Sequence, residues 1–169
     1  HPIRRLMVIC NFATLAGIDP RPVSHWFWAG FVDAYEWVEL PNVVGMGMFG
    51  TSAFTTKPYV ASAAYIKRMT GLPAKGLGPP SARDQAPCPR CRYDPDQRTG
   101  ERACPYNFLY WNFLNQHRDL LSANPRMRNL LSTLDRWGPE GRAQIFEAAE
   151  RFLRTLEPSA DYGIDEDAA

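Results

Sequence analysis

Apolar residues recur at helical spacing along most of the chain. Ile3, Leu6, Met7, Cys10, Ala13 and Thr14 fall near one another at i, i+3 and i+4, and Gly17 is placed to end that first helix. No Ser, Thr, Asp or Asn caps its start, and the chain opens on His1 rather than Met. A helix that ends properly but begins bare leads us to expect the C-terminal piece of a longer protein. Pro20 and Pro22 punctuate a turn, and a second helix is predicted through residues 23–38. Its apolar stripe would be Trp26, Gly30, Phe31, Ala34, Trp37 and Val38. Pro41, Gly45, Gly47 and Gly50 break the pattern, so residues 39–56 are predicted as a loop. A helix resumes at Pro58 and runs to Met69.

Residues 71–87 carry four Pro and three Gly with few apolar groups, which reads as a flexible excursion. Beyond a cysteine-containing loop, one amphipathic helix is predicted from Pro105 to residue 123. The next has Asn124 as N-cap and Pro125 at its first position. A last helix occupies residues 138–157, and an acidic tail fills 158–169. No strand pattern and no internal repeat stand out, so the fold class is read as all-α. The organisation expected is a helical body over residues 1–137, interrupted by the 71–87 insertion, then the C-terminal helix and the tail.

The composition, 45% hydrophobic and 22% charged, is that of a globular chain rather than a disordered one. A net charge of +1 makes no case for nucleic acid or membrane from the total, so any basic surface must be local. There is no run of about 18 apolar residues and no signal-peptide pattern. No membrane partner and a cytoplasmic location are therefore expected, and four cysteines in such a chain argue against a disulfide scaffold.

Chemistry concentrates in two stretches. In "APCPRCRYDPDQRTGERACPYN", Cys88 and Cys91 form a C-x2-C pair and Cys104 follows. That spacing fits zinc or an iron–sulfur cluster, either of which usually takes four ligands. His117 lies about 18 Å along a helix from Cys104, too far to complete the set. Cys10 sits mid-helix among Val8, Ile9 and Phe12, where a small core role accounts for it. The polar, turn-rich "RYDPDQRTGER" between the cysteines needs something other than a hydrophobic core to hold it. The second stretch, "HWFWAGFVDAYEWVELPN", crowds aromatic rings around Asp33, Glu36 and Glu39. Asp33 and Glu39 have apolar neighbours, where an unpaired charge is costly. They call for a donor, either an Arg such as Arg5 or a heterocyclic ligand. Closely spaced Trp and Tyr residues also suit an electron-hopping path.

Four segments, "RRLMVICNFATLAGIDP", "DAYEWVELPNVVGMGMFG", "KPYVASAAYI" and "CRYDPDQRTGERACPYNFLYWNFL", together resemble the C-terminal part of the iron–sulfur bacterial cryptochrome/photolyase family, the prokaryotic (6-4) photolyases and related photoreceptors. The similarity covers about residues 1–70 and 88–137. It implies a helical domain that holds FAD, preceded by an α/β antenna domain with its own chromophore that this chain lacks. Blue light excites reduced FAD, which passes an electron to a (6-4) photoproduct in UV-damaged DNA; the hard chemistry belongs to the flavin. The lesion must leave the base stack to reach it.

By this resemblance Arg5, Asp33, Tyr35, Glu39 and Asn42 surround the flavin, with Glu39 near its N5 edge. His1 lies beside the lesion as a proton donor, followed by Pro2 where the family has a second His. Trp26 matches the electron-relay tryptophan, followed by Phe27 where the family often has Tyr, so that photoreduction relies on Trp26 or Trp28. Tyr59 lines the lesion pocket. Cys88, Cys91 and Cys104 match three ligands of a structural 4Fe–4S cluster whose first ligand would precede this chain. Cys10 matches none. The whole protein would be a monomer, and the isolated 169-residue chain would hold neither FAD nor an intact cluster tightly. Arg4, Arg5, Lys57, Lys67, Arg68, Lys75, Arg83, Arg90, Arg92 and Arg98 are candidates for DNA phosphates. The alternatives are a photoreceptor of the same family without repair activity and, from another class, a zinc- or cluster-binding interaction module.

Overall fold

The computed structural model describes residues 2–51, 57–69 and 91–156, with the side chains of all but residues 2–5 and Met69. The predicted excursion at 71–87, the tail at 158–169, His1, Cys88 and the Arg5 side chain lie outside the described residues.

Helix α1 spans Pro2–Leu15 and ends as its sequence suggests. Gly17 takes φ 72°, its N–H donates to the Thr14 carbonyl, and the Ile18 N–H donates to the Ala13 carbonyl. These paired bonds satisfy carbonyls that the helix end would otherwise leave bare. Helix α2 (Pro20–Gly30) is capped by Asp19, whose carboxylate accepts from the Arg21 N–H.

The predicted second helix does not run on to residue 38. It stops at Gly30, the chain turns through Val32 and Asp33, and a short α3 occupies Glu36–Glu39. That turn resets the helical phase. The buried face is therefore Val23, Ser24 and Phe27, while Trp26, Gly30 and Trp37 of the expected stripe are exposed.

Residues expected to form a loop continue the helix instead. Leu40–Gly47 is a π-helix, and the Met48 N–H beyond it donates to the carbonyl of Val43, five residues back. Pro41 falls in the first turn of this π-helix, where its missing N–H removes no bond. The glycines serve packing rather than a turn. A Cβ added at Gly47 would sit 3.0 Å from both the Asn42 carbonyl oxygen and the Cys10 sulfur. Only a residue without a side chain lets the π-helix lie this close to α1.

Residues 58–62 are not helical, and α4 begins at Ala63–Met69 rather than at Pro58. The reason is a buried side chain on α1: Asn11 donates to the Ala61 carbonyl (3.0 Å) and accepts from the Ala61 N–H (2.8 Å). Both backbone groups are satisfied without a helical turn.

The remaining helices are α5 (Pro105–Gln116), α6 (Arg118–Ser122), α7 (Arg128–Asp135) and α8 (Pro139–Arg154). The single helix predicted from residue 105 to 123 is broken at His117, which leaves helical geometry at φ −99°, ψ 20°. Asn124 accepts from the Arg126 N–H as a cap should, although regular helix starts only at Arg128.

Helix α5 is apolar nearly all round and forms the centre of the larger core: Phe108, Leu109, Phe113 and Leu114 pack with Leu15, Leu121, Leu131, Ile145 and Ala149. A second cluster joins Cys10 and Ala13 to Val23, Phe27, Val43 and Met48. Helix α1 is thus the wall between two cores. No strand exists among the described residues, only an isolated bridge between Asp94 and Ala103. The class is all-α, as predicted. Among the described residues no helix is long and apolar enough to cross a membrane.

Gly47→Ala is expected to destabilise the protein by about 1–3 kcal/mol, the usual penalty of overpacking, despite Ala's better helix propensity. Adding Cys10→Ala removes the sulfur but leaves its Cβ 3.1 Å away and the Asn42 carbonyl in place, so it is expected to recover only part of that loss. Denaturant unfolding of the two variants checks it; a Gly47→Ala protein as stable as the parent would refute the close approach.

Candidate functional site

The first candidate region is the junction of α2, α3 and the π-helix. Trp26, Trp28, Val32, Tyr35, Trp37 and Leu40 are all exposed there, and Val32 is entirely so. Apolar groups gathered in this way mark a surface that something covers. Trp26 stands edge-on to Phe27 (5.3 Å between ring centres) and to Phe31 (5.6 Å), and Phe27 is buried beneath them. A cavity of about 130 Å³ opens beside this face, lined by Arg21, His25, Trp28, Glu36, Glu39 and Val44 among others.

Glu39 is the chemically unusual member. Its Oε2 is buried and has no hydrogen-bond partner among the described residues. Burial raises the carboxyl's pKa, and the negative charge of Asp33 raises it further. Thr14 Oγ1 and Asn112 Nδ2 share the lack of a partner, but both belong to neutral side chains, which cost less to leave unpaired. The neighbouring Cys10 thiol is pushed up to about 12, chiefly by burial and in part by Glu39. Cys10 is therefore a neutral core residue, as its sequence position suggested. Asn42 uses its side-chain N–H on the Val38 carbonyl at 2.7 Å, which ties the π-helix to α3. Glu39, Asp33, Tyr35 and Asn42 thus share one short stretch, with Asp33 and Tyr35 exposed and Glu39 and Asn42 half-buried.

The second region is the loop that carries Cys91, exposed, and Cys104, half-buried. Its polar residues supply their own framework. Asp94 accepts from the Asp96 N–H and the Gln97 side chain, and the Cys104 N–H donates back to the Asp94 carbonyl. Arg98 lies over Trp137 at 5.1 Å, and Trp137 stacks on Trp111 of α5 at 4.5 Å. Lys67 of α4 pairs with Asp96 at 2.9 Å. The expectation that this loop needs a non-apolar scaffold is met by these polar and cation–π contacts. With Cys88 outside the described residues, no group of three metal-ligating side chains comes together among those described. Tyr59 is exposed on the segment between the two regions.

Sequence reasoning overlooked Asn11 and Asn107. Both are buried. Asn107 accepts from the Ala63 N–H and donates to the carbonyls of Pro95 and Gln97. The signal was present: an Asn inside "ICNFA" or "PYNFLYW" stands where a polar group survives only if it is paired.

No family model matches the chain. Over 158 residues, 93% of its length, it is 44% identical to a (6-4) photolyase of Agrobacterium fabrum. It spans 28% of that photolyase's length. Over 71 residues it is 41% identical to an uncharacterized protein of Acanthamoeba polyphaga mimivirus, covering 58% of that protein and 41% of this chain.

The raised pKa of Glu39 sets a pH dependence with a definite sign. Well below the ordinary value of 4.5 the folded and unfolded states are both protonated, and Glu39 has no effect. As pH rises through that value the unfolded carboxyl ionises first, so the native state is penalised from there upward. In ligand-free protein Glu39→Gln is thus expected to raise the thermal midpoint at pH 7, with the gain closing as pH falls below 4.5. Thermal unfolding across that range checks it; a variant less stable than the parent at pH 7 would refute the assignment.

Proposed function

Because the chain belongs to the bacterial photolyase/cryptochrome family across the residues it shares with the Agrobacterium enzyme, we propose that it forms the C-terminal part of a helical FAD-binding domain in a (6-4) photolyase. The substrate on this reading is UV-damaged DNA. One observation carries the flavin assignment: the buried, unpartnered Oε2 of Glu39 beside an exposed aromatic face. Such an atom needs a donor, and a ring N–H of a heterocycle laid on that face supplies one. Bound FAD supplies the light-driven electron that reaches the lesion.

The chain's own residues then divide the work. Glu39 accepts a hydrogen bond at the ring's N5 edge and holds the proton there. Asp33, Tyr35, Asn42 and Arg5 orient the rest of the flavin. Trp26 relays electrons inward from the surface, and Tyr59 packs against the extruded lesion, to which His1 gives a proton. Cys88, Cys91 and Cys104 hold three corners of a 4Fe–4S cluster, which needs a fourth thiolate from outside this sequence. Lys57, Arg68 and Arg92, all exposed, are available to phosphates, although Arg68 and Arg92 also lie over the rings of Tyr65 and Tyr93, while Lys67 is paired to Asp96.

A photoreceptor without repair activity is the second reading. Phe27 favours it: the ring beside Trp26 has no phenol to lose a proton after oxidation.

The test uses the protein expressed from its whole reading frame. Purified protein is expected to carry oxidised-flavin absorption and to restore (6-4)-containing DNA under blue light but not in darkness. Glu39→Gln is expected to lower the repair rate by about tenfold or more, the scale of one lost charge-assisted hydrogen bond. Flavin without repair would establish the photoreceptor reading instead. A protein without flavin would overturn both.

A further inference from the structure

We propose that Asn11 and Asn107 are positioning residues for Tyr59: they clasp the segment around it to helices α1 and α5, and Asn107 also locks that segment to the cysteine loop. The contact of Tyr59 with a DNA lesion rests on the function proposed above; the clasp rests on hydrogen bonds alone.

Residues 58–62 are neither helix nor strand, so their backbone groups have no repeating partner. Asn11, only 1% exposed, meets that need at one point by bonding both the N–H and the C=O of Ala61. A single amide side chain here does what a neighbouring strand would do. Asn107, 8% exposed, makes three bonds: it accepts from the Ala63 N–H at 3.1 Å and donates to the Gln97 and Pro95 carbonyls at 2.7 and 2.9 Å. Its oxygen fixes the start of α4, and its nitrogen grips the loop between Cys91 and Cys104. Lys67, on the last turn of α4, holds the same loop through Asp96.

Tyr59 lies between the buried Pro58 and Val60, which packs on the larger core, two residues before the Ala61 anchor. The backbone that carries its exposed ring has few ways to move while Ala61 stays bonded. Buried amides whose bonds are all made specify one arrangement, because any other leaves them unpaired in an apolar surrounding. The segment that presents Tyr59 and the loop that carries the cysteines therefore move as one body, with Asn107 as their joint.

Three substitutions in the protein expressed from its whole reading frame test this. Asn11→Leu is expected to speed hydrogen exchange at the Ala61 amide by roughly tenfold. Asn107→Leu is expected to do the same at Ala63 and in the loop amides. Asn107→Asp keeps the acceptor and removes both donors, so the loop amides are expected to speed up while Ala63 stays protected. Unchanged exchange at Ala61 and Ala63 overturns the clasp.

Positioning is read from affinity for duplex DNA containing a (6-4) photoproduct. Asn11→Leu and Tyr59→Ala each weaken it, and the double variant binds no worse than Tyr59→Ala alone. Losses that multiply overturn the positioning role. Asn11→Asp, which keeps the shape and the acceptor, gives the same non-additive result where the Leu variant does not fold. A Tyr59→Ala protein with full preference for damaged DNA refutes the lesion contact, and the exchange arms then decide the clasp by themselves.

Discussion

The contact between α1 and the π-helix governs where Glu39 and Asn42 sit. At Gly47 the two backbones come so near that any side chain would press on the Cys10 sulfur and the Asn42 carbonyl. The lack of a side chain at Gly47 makes that approach to Cys10 possible. The same packing leaves Glu39, at the junction of α3 with the π-helix, near enough to the Cys10 thiol for its charge to be felt there, with its carboxyl partly desolvated. A charged group in that corner costs free energy unless a donor meets it. The destabilising position of Glu39 is thus a consequence of the packing, and it leaves in that corner a carboxylate oxygen that calls for a donor.

Polar side chains do the corresponding work elsewhere. The segment around Tyr59 lacks regular secondary structure to satisfy its backbone, and the loop around the cysteines has too little apolar content to fold onto the core by burial alone. Asn11, Asn107, Asp94 and the Lys67–Asp96 pair supply directional bonds instead. The cysteine loop accordingly has internal order from its own residues, and a cluster there would add to a framework rather than create one.

Much of this was legible in the sequence where a local rule decides the outcome. Gly17 closes α1, Asn124 caps the turn before α7, and Cys10 is a core residue because its neighbours are apolar. Three features were not legible, and the last two depend on a distant partner. The helix through residues 23–38 stops at Gly30, which moves Trp26 and Trp37 from the expected buried stripe to the surface. Gly47 looks like a breaker until Cys10 of α1 is placed against it. The delayed start of α4 follows from Asn11, fifty residues earlier in the chain. Of the candidate site residues, the stretch from Asp33 to Asn42 is brought together in space; His1, Cys88 and the Arg5 side chain fall outside the described residues.

The central claim is that Glu39 meets a flavin ring N–H. Isotope-edited infrared difference spectroscopy of the FAD-bound protein, recorded on reduction of the flavin, addresses it directly. A carboxylate band is expected to shift when the flavin takes up its proton and to disappear in Glu39→Gln. A difference spectrum identical in the parent and the Gln variant would contradict it.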